Sequence, residues 1–256
     1  MRKCLSPFFI GCREPGLDIG TGPFDIQLPQ SLIGSKPGSK NAIININVAI
    51  QDFIVETVRS GEKPVVLSGD CLSAIGCLAG LQRCDIHPYL LWFDAHGDFH
   101  TPETSISRHL GGMPLAMITG RGDLTFTTVA GMMPLPDNRV CLVGGRDLES
   151  GEKETIEASK ILICDRITDI LNELPKNIDF WIHFDTDYIN PIDAPAMRYP
   201  AKGGASAQLV KFDLAQLTNC INIIGLSVSA WAPHLDVEAH TANACWDVIS
   251  SLTLKV

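Results

Sequence analysis

No Gly-x-Ser-x-Gly elbow occurs in this chain, so a strained serine nucleophile on a strand-to-helix turn is excluded. There is no P-loop and no G-x-G-x-x-G, and Gly144-Gly145 alone is too short to cradle a phosphate. No two histidines are adjacent. The nine cysteines form no C-x-x-C pair, and several sit inside apolar runs, where a reduced buried thiol is the ordinary state. Positive charge is scarce, with 20 Lys and Arg against 29 Asp and Glu and a net charge of −9. Without a basic stripe to meet phosphates, a nucleic-acid partner is excluded. No apolar stretch reaches membrane-spanning length and no signal-peptide pattern opens the chain, so the expectation is no membrane partner and a reducing cytoplasm.

What is present is an ordinary globular composition. Over 256 residues, 45% are hydrophobic and 19% charged, enough to bury an extensive core. Strand-like apolar runs alternate with helix-like stretches, and no repeat, low-complexity tract or linker interrupts them. Strands are expected over Leu5–Ile10, 64–67, 88–93, 139–143, 160–164, 179–184 and 220–228. Helices are expected over 41–59, 72–81, 151–158, 166–173, 207–217 and 238–252. Residues 11–39, rich in Gly and Pro, should be loop. Such alternation predicts an α/β fold in one domain, residues 1–256, with a parallel sheet covered by helices on both faces. In these sheets ligands gather at the carboxyl ends of the strands.

Two acidic segments fall at such ends. Asp94-Ala-His96-Gly-Asp98 follows the apolar run Pro88–Phe93, and Asp185-Thr-Asp187 follows Phe180–Phe184. Alternate residues of an extended chain point the same way, which predicts one shared face for Asp94, His96 and Asp98 and another for Asp185 and Asp187. Any one of these aspartates could be a helix cap or turn residue. Four carboxylates and an imidazole beside buried strands need a counter-charge, because uncompensated buried carboxylates are costly. The set suits hard or borderline divalent cations, two of them by number of ligands.

These two segments resemble the signatures of the ureohydrolase superfamily, which contains arginase, agmatinase and formiminoglutamase. Ser68-Gly-Asp70-Cys71 stands where that family has Gly-Gly-Asp-His. Thr101-Pro102, Gly112-Met-Pro114, Gly145-Arg146-Asp147, Asn190-Pro191, Pro195, Pro200 and Gly203-Gly204 fall at family spacing, so the likeness covers most of residues 64 to 233. The resemblance implies a three-layer sandwich around an eight-stranded, mostly parallel sheet and a site for two divalent ions, usually manganese. By that likeness Asp94 and Asp185 would bridge both ions, His96 and Asp187 would complete one, and Asp98 with Cys71 the other. It implies hydrolysis of a linear C–N bond in a guanidino or amidino compound through a metal-bridging hydroxide, with Asp98 holding the proton. It also implies a homo-oligomer, a trimer or hexamer.

Several positions depart from the family. Cys71 replaces a ligand histidine, and sulfur favours softer ions than manganese, so the second ion is expected to be weakly held or of another kind. Ala230 stands where a glutamate grips the guanidinium; losing one half of a buried charged pair costs roughly 2–5 kcal/mol. Gly111 lies where arginases carry a proton-shuttling histidine, and His109, two residues earlier, is the candidate replacement. His100 takes the place of an asparagine at the amino-acid end. Ser107 and Glu149 keep recognition positions, and Tyr199 is bulkier than the usual threonine. The expected substrate is therefore not plain arginine, and an N-hydroxy-arginine-like compound is an attractive candidate. Two alternatives stay open: a single-metal deacetylase-like amidohydrolase, although the adjacent histidines of that branch are missing, and a non-catalytic homologue. His183 is a candidate for support behind the ligands, while His234 and His240 read as surface residues.

Overall fold

A computed structural model of the chain describes residues 1–17 and 23–251. The first strand, β1 (Arg2–Ser6), starts and stops earlier than its apolar run predicts, because Pro7 has no N–H to extend the ladder. The remainder of that run forms a small antiparallel hairpin, β2 (Phe8–Phe9) with β3 (Cys12–Arg13). The stretch expected to be loop also holds a short edge strand, β4 (Ile26–Gln27), and a 3₁₀ turn, Gln30–Ile33. Then comes α1 (Lys40–Arg59), whose start is fixed by Ser39 accepting a hydrogen bond from the Ala42 N–H. Next are β5 (Pro64–Ser68), α2 (Ser73–Gln82) and β6 (Tyr89–Asp94).

Two short helices follow that the periodicity does not reveal, α3 (Pro114–Ile118) and α4 (Thr125–Val129), each little more than one turn. The chain continues with β7 (Val140–Gly144), α5 (Ser150–Glu157) and β8 (Leu162–Cys164). The helix expected over 166–173 is only a 3₁₀ turn, Ile167–Ile170; two apolar side chains suffice to dock it but not to sustain three turns. The last elements are β9 (Asp179–Asp185), α6 (Ala207–Cys220), β10 (Asn222–Ser229) and α7 (His240–Ser251). Thus α6 runs through Cys220, where a strand is expected to begin, and position 252 of the last expected helix lies outside the described residues.

Eight strands pair in the order β4-β1-β5-β10-β9-β6-β7-β8, and every pairing is parallel. The strands sort their residues between two cores by the two-residue period of extended chain. Leu90, Trp92, Leu142 and Trp181 join the core under α1, α2 and the shorter helices. Leu91, Phe93, Phe180, Ile182 and Val228 join the core under α6 and α7. The result is the three-layer α/β sandwich that the sequence predicts. Near the carboxyl ends of the central strands the first of these two faces turns polar: His183 and Asp185 on β9 and Ser227 and Ser229 on β10 are all buried there. Among the described residues no helix is long and apolar enough to cross a membrane.

Candidate metal centre

The carboxylates converge by turning the chain, not by continued alternation. Strand β6 ends at Asp94, and the chain then bends, with Asp98 at a positive φ of 49°. Strand β9 ends at Asp185, which opens a 3₁₀ turn over Thr186–Tyr188 by accepting the Asp187 N–H at 2.8 Å. The shared-face prediction is therefore corrected: beyond each strand's last residue, turn geometry rather than pleat aims the side chains. The Asp94 carboxylate accepts the His96 N–H at 2.7 Å through Oδ1 and the Trp92 indole N–H at 3.0 Å through Oδ2. Asp187 Oδ1 accepts the Ala95 N–H at 2.9 Å and joins the two loops.

Two sets of donor atoms lie close enough to share an ion: Cys71, Asp94 and Asp185, and Asp94, His96 and Asp187, each within 4.8 Å of one another. Asp94 belongs to both. The Cys71 thiol donates to Asp185 Oδ2 at 2.9 Å and lies 3.2 Å from the Ser229 hydroxyl. Asp98 is outside both sets, yet it lines the same cavity and its Oδ2 is buried without any hydrogen-bond partner. A buried carboxylate oxygen left bare is expensive unless a cation or proton meets it.

Charge crowding shows in every titrating group. Burial, then the Asp187 charge, pushes Asp185 up to about 8. Burial and the Asp94 charge raise Asp187 to about 6. Asp94 and Asp98 are raised by burial and by neighbouring carboxylates, Asp98 well above the usual range. Burial, followed by the charges of Asp185, Asp98 and Asp94, lifts the Cys71 thiol far above its ordinary value. Burial alone would lower His96, but hydrogen bonds to Asp187 and Asp94 outweigh it and hold the ring cationic, up to about 12; Nδ1 sits 2.7 Å from Asp187 Oδ2. Carboxylates crowded in this way need positive charge among them, and a divalent ion would supply it, so the donor set fits metal.

The remaining candidates line the same cavity of about 420 Å3 with Cys71, His96, Asp98, Asp185 and Asp187. His100 packs Nδ1 3.1 Å from the Thr104 hydroxyl, while its Nε2 is 3.2 Å from Glu149 Oε2 without hydrogen-bond alignment. Ser107 Oγ accepts the His109 N–H at 3.2 Å and so steadies that loop. The His109 ring packs against Tyr199, 5.0 Å between centroids, and near Phe9 at 6.3 Å; burial lowers its basicity. A Cβ built on Gly111 would lie 2.7 Å from His109 Nε2. The imidazole of His109 thus fills the space that a side chain at 111 would claim. Ala230, at the end of β10, lines the cavity with φ +66°.

Two further residues of the site, Trp92 and Glu152, are not singled out by the sequence. Trp92 steers Asp94, and its ring stacks on His183 at 3.9 Å; its parity with Asp94 on β6 is the signal that could have found it. His183 reaches Ser227 at 2.8 Å and Ser229 at 3.3 Å, so it backs the Cys71 side as one reading of it anticipates. Burial lowers it to about 3. Glu152 accepts the Phe99 N–H at 2.8 Å and lies where any Cβ on Gly97 would collide, which fixes glycine inside the first motif. His234 is exposed, as its reading as a surface residue anticipates, and lies 3.2 Å from Glu14 Oε1.

The family model described as the arginase family matches residues 21–255. The arginase of Bacillus caldovelox is 32% identical over 224 residues, 82% of this chain and 75% of that protein. The arginase of Brevibacillus brevis is 29% identical over 223 residues, 82% and 75% of the two chains. In structure, the Bacillus caldovelox arginase superposes with a TM-score of 0.85 at 26% identity, covering 100% of this chain and 98% of that one. The agmatine ureohydrolase of Thermoplasma volcanium gives 0.69 at 17% identity over 98% and 89%, a likeness of fold alone.

Proposed function

The chain belongs to the arginase family, and from that premise we propose that it hydrolyses a guanidino-type substrate less basic than arginine, of the N-hydroxy-arginine kind. Family membership makes it a metal-binding hydrolase, and the substrate is the step we add. One observation carries it: two sets of donor atoms meet at Asp94, while the wall at the end of β10 is Ala230, with no carboxylate there to balance a full guanidinium charge. A hydroxylated guanidine is less basic and depends less on that lost counter-ion.

In this reading His96, Asp187, Asp94 and Asp185 would hold one ion, and Cys71 and Asp98 with the two shared aspartates the other. Oxygen and imidazole donors suit manganese at the first position; the thiolate invites a softer ion at the second. When bound, such a pair lowers the pKa of a shared water so that hydroxide is available near neutral pH. Asp98, which lines the cavity and whose Oδ2 has no hydrogen-bond partner, would hold the water's proton. His109 sits at the cavity wall in the space of residue 111 and passes a proton to the departing amine. His100, Ser107, Glu149 and Tyr199 meet the far end of the substrate.

We also assign residues 1–256 to one domain, a homo-oligomer of three or six copies, and a reducing cytoplasm, the last supported by all nine cysteines being unpaired. The test is urea and hydroxyurea release by metal-loaded protein from arginine, N-hydroxy-arginine and other guanidino compounds. Hydroxyurea release should exceed urea release. A preference for arginine overturns the substrate. Two bound ions without turnover of any compound favours the non-catalytic alternative, and a single bound ion with amide hydrolysis favours the deacetylase-like one.

A further inference from the structure

Seven carboxylate side chains line the cavity, those of Asp70, Asp98, Asp147, Glu149, Glu152, Asp185 and Asp187, and among the described residues only one Lys or Arg does, Arg198. Its guanidinium is held along one edge and over one face. Nε donates to Glu14 Oε2 at 3.2 Å, and Nη2 donates to Oε1 at 3.0 Å and Oε2 at 2.7 Å. The face of the ion lies over the Phe9 ring, 4.6 Å from its centroid. Glu14 is 1% exposed and cannot follow the side chain outward, so Arg198 is tethered to the rim. A guanidinium has five N–H donors. Glu14 occupies the edge formed by Nε and Nη2, which leaves the Nη1 pair without a hydrogen bond among the described residues. Arg198 keeps a third of its surface exposed, in the cavity wall. Glu14 is also shared with His234, so it does not answer Arg198 alone.

We propose that the free edge of Arg198 is a carboxylate anchor and that the substrate is a guanidino acid, its guanidino end at the metal cluster and its carboxylate at Arg198. The proposal rests on the reading above for the orientation of the substrate. Its physics is independent of it. An anionic tail entering a cavity lined by seven carboxylates is repelled everywhere except at this fork, where two N–H groups and a fixed positive charge face it. Phe9 and Glu14 hold the guanidinium in a single plane, so little side-chain freedom is lost when the anion docks. A substrate whose tail ends in an amine and has no carboxylate would meet like charge.

The probes are 4-guanidinobutanoate and n-butylguanidine, which differ by the carboxylate alone, titrated calorimetrically into manganese-loaded protein. The acid should bind at least about tenfold more tightly than the uncharged-tail compound, the gain of a charge-assisted fork. Because removing Arg198 alone would strand Glu14, the test variant is the pair Glu14→Gln with Arg198→Met. It should abolish the preference while leaving n-butylguanidine affinity unchanged. Arg198→Lys, which keeps the ion pair but not the fork, should reduce the preference severalfold. Equal binding of the two probes, no binding of the acid, or a preference that survives in both variants overturns the proposal. Carboxylate-dependent binding without hydrolysis of any guanidino compound would keep the anchor and discard the hydrolase reading.

Discussion

At the floor of the cavity three of the carboxylates proposed to hold metal are almost fully buried and fixed by aimed donors: the Trp92 indole on Asp94, the Ala95 N–H on Asp187, the Asp187 N–H on Asp185. At the rim, side chains lean on one another and stay partly wet: Tyr199 against His109, Phe9 under Arg198, Glu149 near His100. By the resemblance read from the sequence, the aspartates and His96 of the floor keep the ureohydrolase pattern, whereas His100, Tyr199, Gly111 and the Ala230 wall depart from it. The difference teaches where substitution is tolerated. A floor residue is tied to several buried neighbours whose charges were set against it, so changing one strands the rest. Rim residues meet water and can be exchanged for new recognition without unfolding the site.

The sharpest break between the two regions is expected from Asp185→Asn. Asp185 is 4% exposed, touches Cys71 and opens the turn that carries Asp187. Its loss should cut bound metal from two ions to one or fewer. Turnover should fall by more than the roughly 10–100-fold typical of residues that only support a ligand. Metal analysis beside kinetics checks it; unchanged stoichiometry would remove Asp185 from the floor.

His109→Ala is the largest effect expected at the rim. If His109 moves a proton to the leaving amine, its removal should lower kcat about 100-fold with little change in KM, and free imidazole in the buffer should restore part of the rate. A structural role alone would not respond to imidazole. Gly111→His should disturb the parent, where its Cβ would crowd the His109 ring, and should be better tolerated beside His109→Ala.

Much of the floor is legible in the sequence because its determinants are local. Apolar runs set β6 and β9, and Asp94, His96, Asp98, Asp185 and Asp187 lie within five residues of a strand end. The detail of their approach is not, since the two-residue period stops at Asp94 and Asp185 and turns take over. At the rim the residues themselves are legible, since His100, Ser107, His109, Glu149 and Tyr199 are named from the sequence and line the cavity, but their contacts are not. Arg198 meets Glu14 across 184 residues, and the hairpin carrying Phe9 follows a proline that splits one apolar run into two elements. His109 is the exception: a missing side chain at 111 and a histidine two positions earlier are visible in the chain, though only the fold shows them sharing one volume.

Stability of the metal-free protein offers a third contrast. Asp185 is raised from its ordinary value to about 8 and Asp187 to about 6, so the folded state binds more protons than the unfolded one between roughly pH 4 and these values. Their contribution is fully present below the unfolded pKa and is lost as pH rises through about 6 and then about 8. Metal-free protein should therefore melt progressively lower from pH 5 to pH 8. Each proton of difference contributes about 1.4 kcal/mol per pH unit, on the order of 3–6 °C for a chain of this size. Metal competes with the same protons, so added manganese should bind more tightly as pH rises and flatten or reverse the slope. A melting point independent of pH without metal would mean that the floor is not charge-crowded.

The smallest effect is expected from Glu149→Gln. Its side chain is 65% exposed, and its approach to His100 Nε2 at 3.2 Å lacks hydrogen-bond alignment. Water and salt screen a charge so placed, and exposed pairs of this kind are worth about 0–1 kcal/mol, at most roughly fivefold in KM. Even that small change should shrink further as ionic strength rises, since the Debye length drops to about 3 Å at 1 M. A loss comparable to that of His109→Ala, or one that persists at high salt, would show Glu149 folding over the substrate as part of a closed, desolvated site. The rim would then obey the same rules as the floor, and the distinction between them would fail.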